Sequence, residues 1–291
     1  MSLSENNIMQ HEKVAVVTGS SSGIGFETSL LLAMNGFYTY ATMRNIDKSN
    51  KITDLAKRDN LPLEVSQLDV SNDESVKDAV NMIAEKHGRI DMVVNNAGYG
   101  TTGAVEDFSI QEIKAQFETN FFGSVRVIQS VLPLMRRQRD GTIVNISSIG
   151  GRIAFPFSPF YASTKFAMEG LSEALRYEVA QFGIKVILVE PGLIKTNFFE
   201  NVKKPKKTDG SPYHQLVQKR IDRVKGMLEN GTTAEEVAKV IFRAAISSKE
   251  EHDLRYMVGS DAESVMEKRK KMTDREFFDF MCKNILDTAY N

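Results

Sequence analysis

Tyr161 and Lys165 lie four residues apart in a segment with helical patterning, so the two side chains share one face. A phenol with a pKa near ~10 exchanges protons poorly at neutral pH. A cation on the same face stabilises the phenolate and lowers that pKa. The pair therefore suits proton donation to a carbonyl, or proton removal from an alcohol. By itself Tyr-x-x-x-Lys is a weak signal, because many helices carry it. Ser147 and Ser148 add to it at the end of the strand-like run Thr142 to Ile146. A serine hydroxyl there can donate to a substrate oxygen as charge builds on it. Asn95-Asn96-Ala97-Gly98 ends another such run in the same way. Helix caps and turn chemistry are the plainer reading of each of these serines, asparagines and glycines.

Thr18-Gly19-Ser20-Ser21-Ser22-Gly23-Ile24-Gly25 follows the first strand-like run and opens a helix. Glycines let backbone amides approach a phosphate, and a helix N-terminus adds positive charge. The segment reads as a pyrophosphate cradle, although its G-x-x-x-G-x-G spacing differs from the common G-x-G-x-x-G. Gly19 to Gly23 also matches G-x-S-x-G, which would make Ser21 a hydrolase nucleophile. That rival fails on placement, because its oxyanion hole needs an earlier strand–helix loop and only one strand precedes Gly19. The four histidines, His11, His87, His214 and His252, also lack an evident acidic partner. A dinucleotide site commonly places an acid on the ribose about 20 residues beyond the glycines. Here the second strand runs into Arg44, which favours a 2′-phosphate and hence NADP(H), with NAD(H) as the alternative. Asp47 is the nearby carboxylate that complicates this choice. The positive ring of an oxidised nicotinamide would further stabilise a Tyr161 phenolate.

These groups need a frame that brings strand ends together. Val14 to Val17, Phe37 to Thr42, Leu63 to Leu68, Met92 to Val94, Thr142 to Ile146 and Lys185 to Val189 are apolar or β-branched runs, and Arg255 to Val258 reads as a last short one. Continuous rather than alternating apolar character marks strands buried on both faces. Helical patterning lies between them: Val76, Ala79, Val80, Ile83 and Ala84 fall on one face, with Ser71 and Glu74 at capping-box spacing before it. Strand–helix repetition implies right-handed crossovers and an α/β doubly wound, mostly parallel seven-stranded sheet with helices on both faces. Ligands in such sheets sit at the carboxyl ends of the strands.

The alternation breaks after Gly192. A lid at about 197–231 holds the basic run Lys203-Lys204-Pro205-Lys206-Lys207, read as a solvated face, as is Glu267 to Lys271. Thr232 or Thr233 caps a further helix carrying Val237, Ile241 and Ala245. The organisation expected is a polar leader (1–12), a single catalytic domain (13–260) and a helical tail (261–291). Apolar residues make up 42% of the 291 and charged residues 26%, enough for a core without disulfides or metal. Net charge is −1, which gives no reason to expect nucleic acid or an anionic membrane as partner. No run approaches the ~20 apolar residues of a membrane span. The lone Cys282 excludes an internal disulfide and fits a reducing, cytoplasmic setting.

Taken together, the motifs resemble the short-chain dehydrogenase/reductase family in its single-domain form. The likeness covers about residues 13–197 and extends loosely to Gly259. The family's T-G-x-x-x-G-I-G is matched by Thr18 to Gly25, its N-N-A-G by Asn95 to Gly98, its Y-x-x-x-K by Tyr161 and Lys165, and its P-G-x-x-x-T by Pro191, Gly192 and Thr196. Its helical asparagine corresponds to Asn120, and its serine, thirteen positions before the tyrosine, selects Ser148 over Ser147. The resemblance implies Tyr161 as general acid/base, Lys165 on the nicotinamide ribose, Ser148 on the substrate carbonyl, and Asn120 fixing a water. It further implies cofactor contacts at Gly19, Ser21, Ser22, Gly23, Ile24, Gly25, Arg44, Asp69, Val70, Asn96, Ala97, Gly98, Tyr161, Lys165, Pro191, Gly192, Ile194 and Thr196, with no metal. The nearest likeness is to steroid and retinol dehydrogenase-like members, carried by Tyr161 to Gly170 and by Arg44. The residue before the second glycine is Ser22, where some NADP members carry a basic one. Phe155, Phe157, Phe160, Phe198 and Phe199 are candidates for an apolar substrate wall. The function expected is hydride transfer between NADP(H) and a carbonyl or secondary alcohol of a steroid-, retinoid- or lipid-like small molecule. The alternative is a dinucleotide-responsive binding or regulatory protein. Family likeness also implies a homodimer or homotetramer through helices at about 110–136 and 158–182.

Overall fold

The computed structural model describes residues 12–206, 210–248 and 252–288. The polar leader, apart from residue 12, lies outside them, as do His11, Lys207 and Asp209. Strands in chain order are β1 (Lys13–Thr18), β2 (Phe37–Met43), β3 (Leu63–Gln67), β4 (Met92–Asn95), β5 (Gly141–Ile146), β6 (Ile184–Pro191), β7 (Ile194–Lys195), β8 (Thr232–Thr233) and β9 (Arg255–Val258). Helices are α1 (Gly23–Met34), α2 (Asn50–Arg58), α3 (Asp73–His87), α4 (Ile110–Phe117), α5 (Gly123–Gln138), α6 (Pro159–Val179), α7 (His214–Leu228), α8 (Ala234–Ile246), α9 (Ser260–Lys271) and α10 (Asp274–Met281).

Seven strands form one parallel sheet in the order β3-β2-β1-β4-β5-β6-β9. The expected doubly wound sheet is thus present. Its run of apolar residues has a direct cause in β1. Val14 and Val16 face one core with Val76, Val80, Val127 and Leu175, brought by α3, α5 and α6. Ala15 and Val17 face the other with Leu32, Val237 and Ile241, brought by α1 and α8. A strand covered on both faces needs apolar residues at successive positions. The strand order reverses between β1 and β4, which opens a crevice at their carboxyl ends.

Three local features depart from the sequence reading. Asn72, rather than Ser71, caps α3 and accepts from Ser75 N at 2.9 Å. Ser71 is drawn into a turn by Asp69, whose Oδ1 accepts from Ser71 N at 3.0 Å and from its hydroxyl at 2.6 Å. The strands β7 and β8 form an extra two-residue parallel ladder, and Thr233 then caps α8 in a capping box with Glu236. The basic run is also less free than a solvated loop. Its backbone pairs with the 100–102 loop, and the exposed Lys203 sits 4.1 Å over the Tyr99 ring. In the other charged run, Lys268 lies over Phe280 and Arg269 over Phe277.

Candidate active site

Each strand delivers its residues to the same edge. β1 runs into the glycine turn and α1, β2 into Arg44, β3 into Asp69 and Val70, β4 into Asn96 to Gly98, β5 into Ser148, and β6 into Pro191 to Thr196. These residues, with Tyr161 and Lys165 of α6, border one cavity of about 960 Å³. Two of the expected site residues stand behind it instead. Gly25 backs the turn, where a Cβ would lie 2.5 Å from Asn96 Nδ2. Asn120 is buried and reaches the site only through other residues.

The glycine turn fits a bound phosphate group. Gly19 has φ +71°, and a Cβ there would meet Ala97 Cα at 2.9 Å. Asn96 Nδ2 donates to the Thr18 and Gly19 carbonyls at 2.9 and 3.1 Å, which holds the turn against β4. Ser22 precedes α1 without capping it by its side chain, and the first turn of α1 has no acidic residue. The amides of a helix N-terminus are thereby left for an anion. Ser21 hydrogen-bonds no histidine among the described residues; His87 is bonded to Tyr40 Oη at 2.9 Å. The hydrolase reading thus lacks a base there.

Ser148 and Tyr161 both face the cavity; Ser148 Oγ accepts from Gly150 N at 3.0 Å and donates to Pro191 O at 3.4 Å. Ser147 turns away; its hydroxyl is buried without a partner, and Gly151 packs against it. Lys165 is buried and donates to the Ile146 carbonyl at 2.6 Å, with Nζ 5.7 Å from the Tyr161 ring centre. Burial pushes the Tyr161 phenol up to about 12, with the nearby Ser148 hydroxyl pulling the other way. Burial also pulls Lys165 down to about 8, opposed by Glu169 one turn on. The protein's own groups therefore favour a neutral phenol, since desolvation penalises charge more than the neighbours offset it.

Asn120 sits in a single π-helical turn, Glu118–Phe122, between α4 and α5. Such a turn re-aims side chains that an α-helix would place elsewhere. Asn120 accepts from Tyr99 N at 3.0 Å and donates to Tyr99 O at 2.9 Å and to Thr164 Oγ1 at 3.3 Å. Thr164 in turn donates to the Tyr161 carbonyl at 2.8 Å. Arg44 is exposed and forms no ion pair among the described residues, and Asp47 belongs to a short turn capped by Asn45.

Of the five phenylalanines, Phe155, Phe198 and Phe199 line the cavity. Phe198 meets the Tyr161 ring edge-on at 5.7 Å. Phe160 packs instead on Phe108 and Phe157 on Tyr213. Several cavity residues escape sequence reasoning. Asp261 of α9 accepts from Leu193 N at 2.7 Å and so holds the loop after β6. Phe280, Met281 and Ile285 of the tail wall the cavity, as do Arg220, Arg223, Val224 and Met227 of α7. Phe277 and Met281 anchor the tail on Ile149 and Ile153, just after β5. The α7 face mixes arginines with apolar residues, so a search for apolar stripes passes over it.

A family model described as short chain dehydrogenase matches residues 13–207. The uncharacterized oxidoreductase YusZ of Bacillus subtilis (strain 168) is 36% identical over 256 residues, 86% of this chain and 90% of that protein. Retinol dehydrogenase 8 of Bos taurus is 42% identical over 190 residues, 64% of this chain and 60% of that one. Among solved structures, an alcohol dehydrogenase from the archaeon Thermococcus sibiricus complexed with 5-hydroxy-NADP is similar at a TM-score of 0.70 and 26% identity, over 85% of this chain and 96% of that one. The family match runs from β1 past β7 and takes in the ends of β1 to β6 that border the cavity, so the chain belongs to the short-chain dehydrogenase/reductase family, oxidoreductases that act between CH–OH and C=O groups with NAD(P).

Proposed function

We propose that this chain is an NADP(H)-dependent oxidoreductase acting on a carbonyl or secondary alcohol of an apolar molecule, steroid-, retinoid- or lipid-like. The observation that carries the reading is one continuous cavity with the glycine turn, Ser148 and Tyr161 all on its wall. A nicotinamide dinucleotide held along the glycine turn supplies or takes up the hydride. Asp69, Val70 and Asn96 to Gly98 border its path, and Pro191 to Thr196 flank it. Arg44 favours the 2′-phosphate of NADP(H) over the plain ribose of NAD(H).

In the reducing direction Tyr161 gives its hydroxyl proton to the carbonyl oxygen, and Ser148 donates to the same oxygen. The raised pKa suits this role, because the phenol stays protonated at neutral pH. Lys165, anchored on the Ile146 carbonyl, keeps N–H donors for the ribose. Asn120 holds the Tyr99 loop against α6 and so positions Tyr161 and Lys165. The phenylalanines beside Tyr161, and retinol dehydrogenase 8 among the relatives, support an apolar substrate. Exposed Phe122, Phe166 and Tyr177 support a homodimer, or a homotetramer, through α5 and α6. The free, buried Cys282 fits a reducing cytoplasmic setting.

The test is Tyr161→Phe, assayed with NADPH against a panel of retinal, steroid ketones and long-chain ketones. The variant is expected to bind NADPH normally and to lose about 10²- to 10⁴-fold in turnover. Normal turnover by the variant overturns the reading. Tight NADPH binding without turnover by the unmodified chain replaces it with a binding or regulatory role.

A further inference from the structure

Helix α7 presents Arg220, Arg223, Val224 and Met227 to the cavity, at the i, i+3, i+4, i+7 spacing of one face. The two arginines differ in what they touch. Arg223 donates Nε to the Asn284 carbonyl at 3.0 Å and so ties α7 to the tail. Arg220 donates Nη1 to Thr102 Oγ1 at 2.9 Å, and its Nε is buried without an acceptor. No carboxylate pairs with Arg220 among the described residues. The cavity's own carboxylates are engaged elsewhere: Asp261 with Leu193 N, Asp69 with Ser71, and Glu118 with Arg126. Arg220 is half-buried, and a cation drawn partly out of water without a counter-charge is costly and normally finds a partner. Burial pulls the Arg220 guanidinium down to about 10, and no charge opposes it.

Resting on the oxidoreductase reading above, we propose that Arg220 is an anion subsite and that the natural substrate is an apolar carbonyl or alcohol bearing a carboxylate. Nη2 has no hydrogen bond among the described residues and is the charged donor that a carboxylate in the cavity would meet. Nη1 is spent on Thr102, which fixes the plane of the group, while Nε is shielded from solvent. Phe198 and Phe199 supply apolar wall for the chain between the carboxylate and the reacting carbon. A hydrogen bond to a charged group contributes more than one to a neutral group, so the charge on the ligand decides its affinity.

The test pairs decanoate with its uncharged counterpart decanamide, titrated calorimetrically into the NADP-loaded protein. The unmodified protein is expected to bind decanoate at least about tenfold more tightly. Arg220→Gln brings the ratio close to one, while Arg220→Lys, which keeps the charge but not the fork, retains part of it. Equal binding of the two ligands by the unmodified protein overturns the proposal, and needs no variant to fold. A preference that survives in a folded Arg220→Gln also overturns it. A second arm compares kcat/KM for an oxodecanoate and its methyl ester, with at least about a tenfold advantage expected for the acid. Turnover of the ester with no advantage for the acid defeats the subsite alone. Decanoate preference with no turnover of any carbonyl defeats the oxidoreductase reading alone.

Discussion

Asn120 and Tyr99 are joined in both directions: the Asn120 side chain accepts from Tyr99 N at 3.0 Å and donates to Tyr99 O at 2.9 Å. The same amide reaches Thr164, the residue just before Lys165 on α6. One side chain thereby links the loop after β4 to the helix that carries Tyr161 and Lys165.

Asn120→Ala leaves Tyr99 N without its partner and Tyr99 O with only the Gln116 Nε2 donor at 3.2 Å. The expected cost is about 1–3 kcal/mol, because a buried polar group loses its hydrogen bond. For a chain of this size that lowers the melting temperature by several degrees. If the clamp positions α6, kcat falls more than NADPH affinity does. Asn120→Asp accepts from Tyr99 N but, ionised, cannot donate to Tyr99 O, so its melting temperature falls between the two. Calorimetry with steady-state kinetics checks both points; an unchanged kcat in Asn120→Ala removes the positioning role.

Arg44→Asp is expected to reverse cofactor choice. A charge-assisted hydrogen bond contributes about 1.5–3 kcal/mol, so the NADP-to-NAD affinity ratio drops by roughly 10- to 100-fold. Arg44 has no ion pair to lose among the described residues, so the fold is expected to tolerate the change. Fluorescence titration with both reduced cofactors measures the ratio. Tighter binding of NADH than NADPH by the unmodified protein contradicts the role given to Arg44.

The two directions of the reaction are expected to respond differently to pH. Alcohol oxidation needs the Tyr161 phenolate, and burial holds the phenol up at about 12. Oxidation therefore rises with pH through the neutral and alkaline range, and bound oxidised cofactor moves the midpoint down without changing the direction. Carbonyl reduction uses the phenol, which is protonated throughout, and declines only as Lys165 loses its proton above about 8. An oxidation profile that stays flat through this range excludes Tyr161 as the base. Stability carries its own sign. Unfolded, Lys165 keeps its proton to 10.5, whereas folded it releases it at about 8. The unfolded state thus binds more protons between those values, and this lysine's contribution to stability rises with pH there. Lys165→Met removes that slope from the melting curve.

The glycine turn, the Tyr161–Lys165 spacing and the strand-terminal Asn96 and Ser148 are legible in the chain because each is a local backbone device. A turn, a helical offset or a strand end is specified within about ten residues, whatever surrounds it. Ser71 shows where local reading stops. Its spacing to Glu74 suits a cap, but the Asp69 carboxylate captures it first and Asn72 takes the cap. The phenylalanines divide for a similar reason: Phe198 faces Tyr161, while Phe160, one residue before that tyrosine, turns to Phe108.

From its residues alone this protein is a doubly wound parallel sheet with a dinucleotide turn and a serine, a tyrosine and a lysine at strand and helix positions that suit carbonyl chemistry. Buried strands must be apolar on both faces, and sharp turns must use glycine, so both leave marks in the sequence. Only the tertiary structure decides that Arg220 borders the cavity without a counter-charge among the described residues, that Asp261 holds the loop after β6, and that Phe280 and Ile285 wall the cavity. Those outcomes depend on how α7, α9 and α10 dock. Docking is set by side-chain packing between segments far apart in the chain, which no local spacing records.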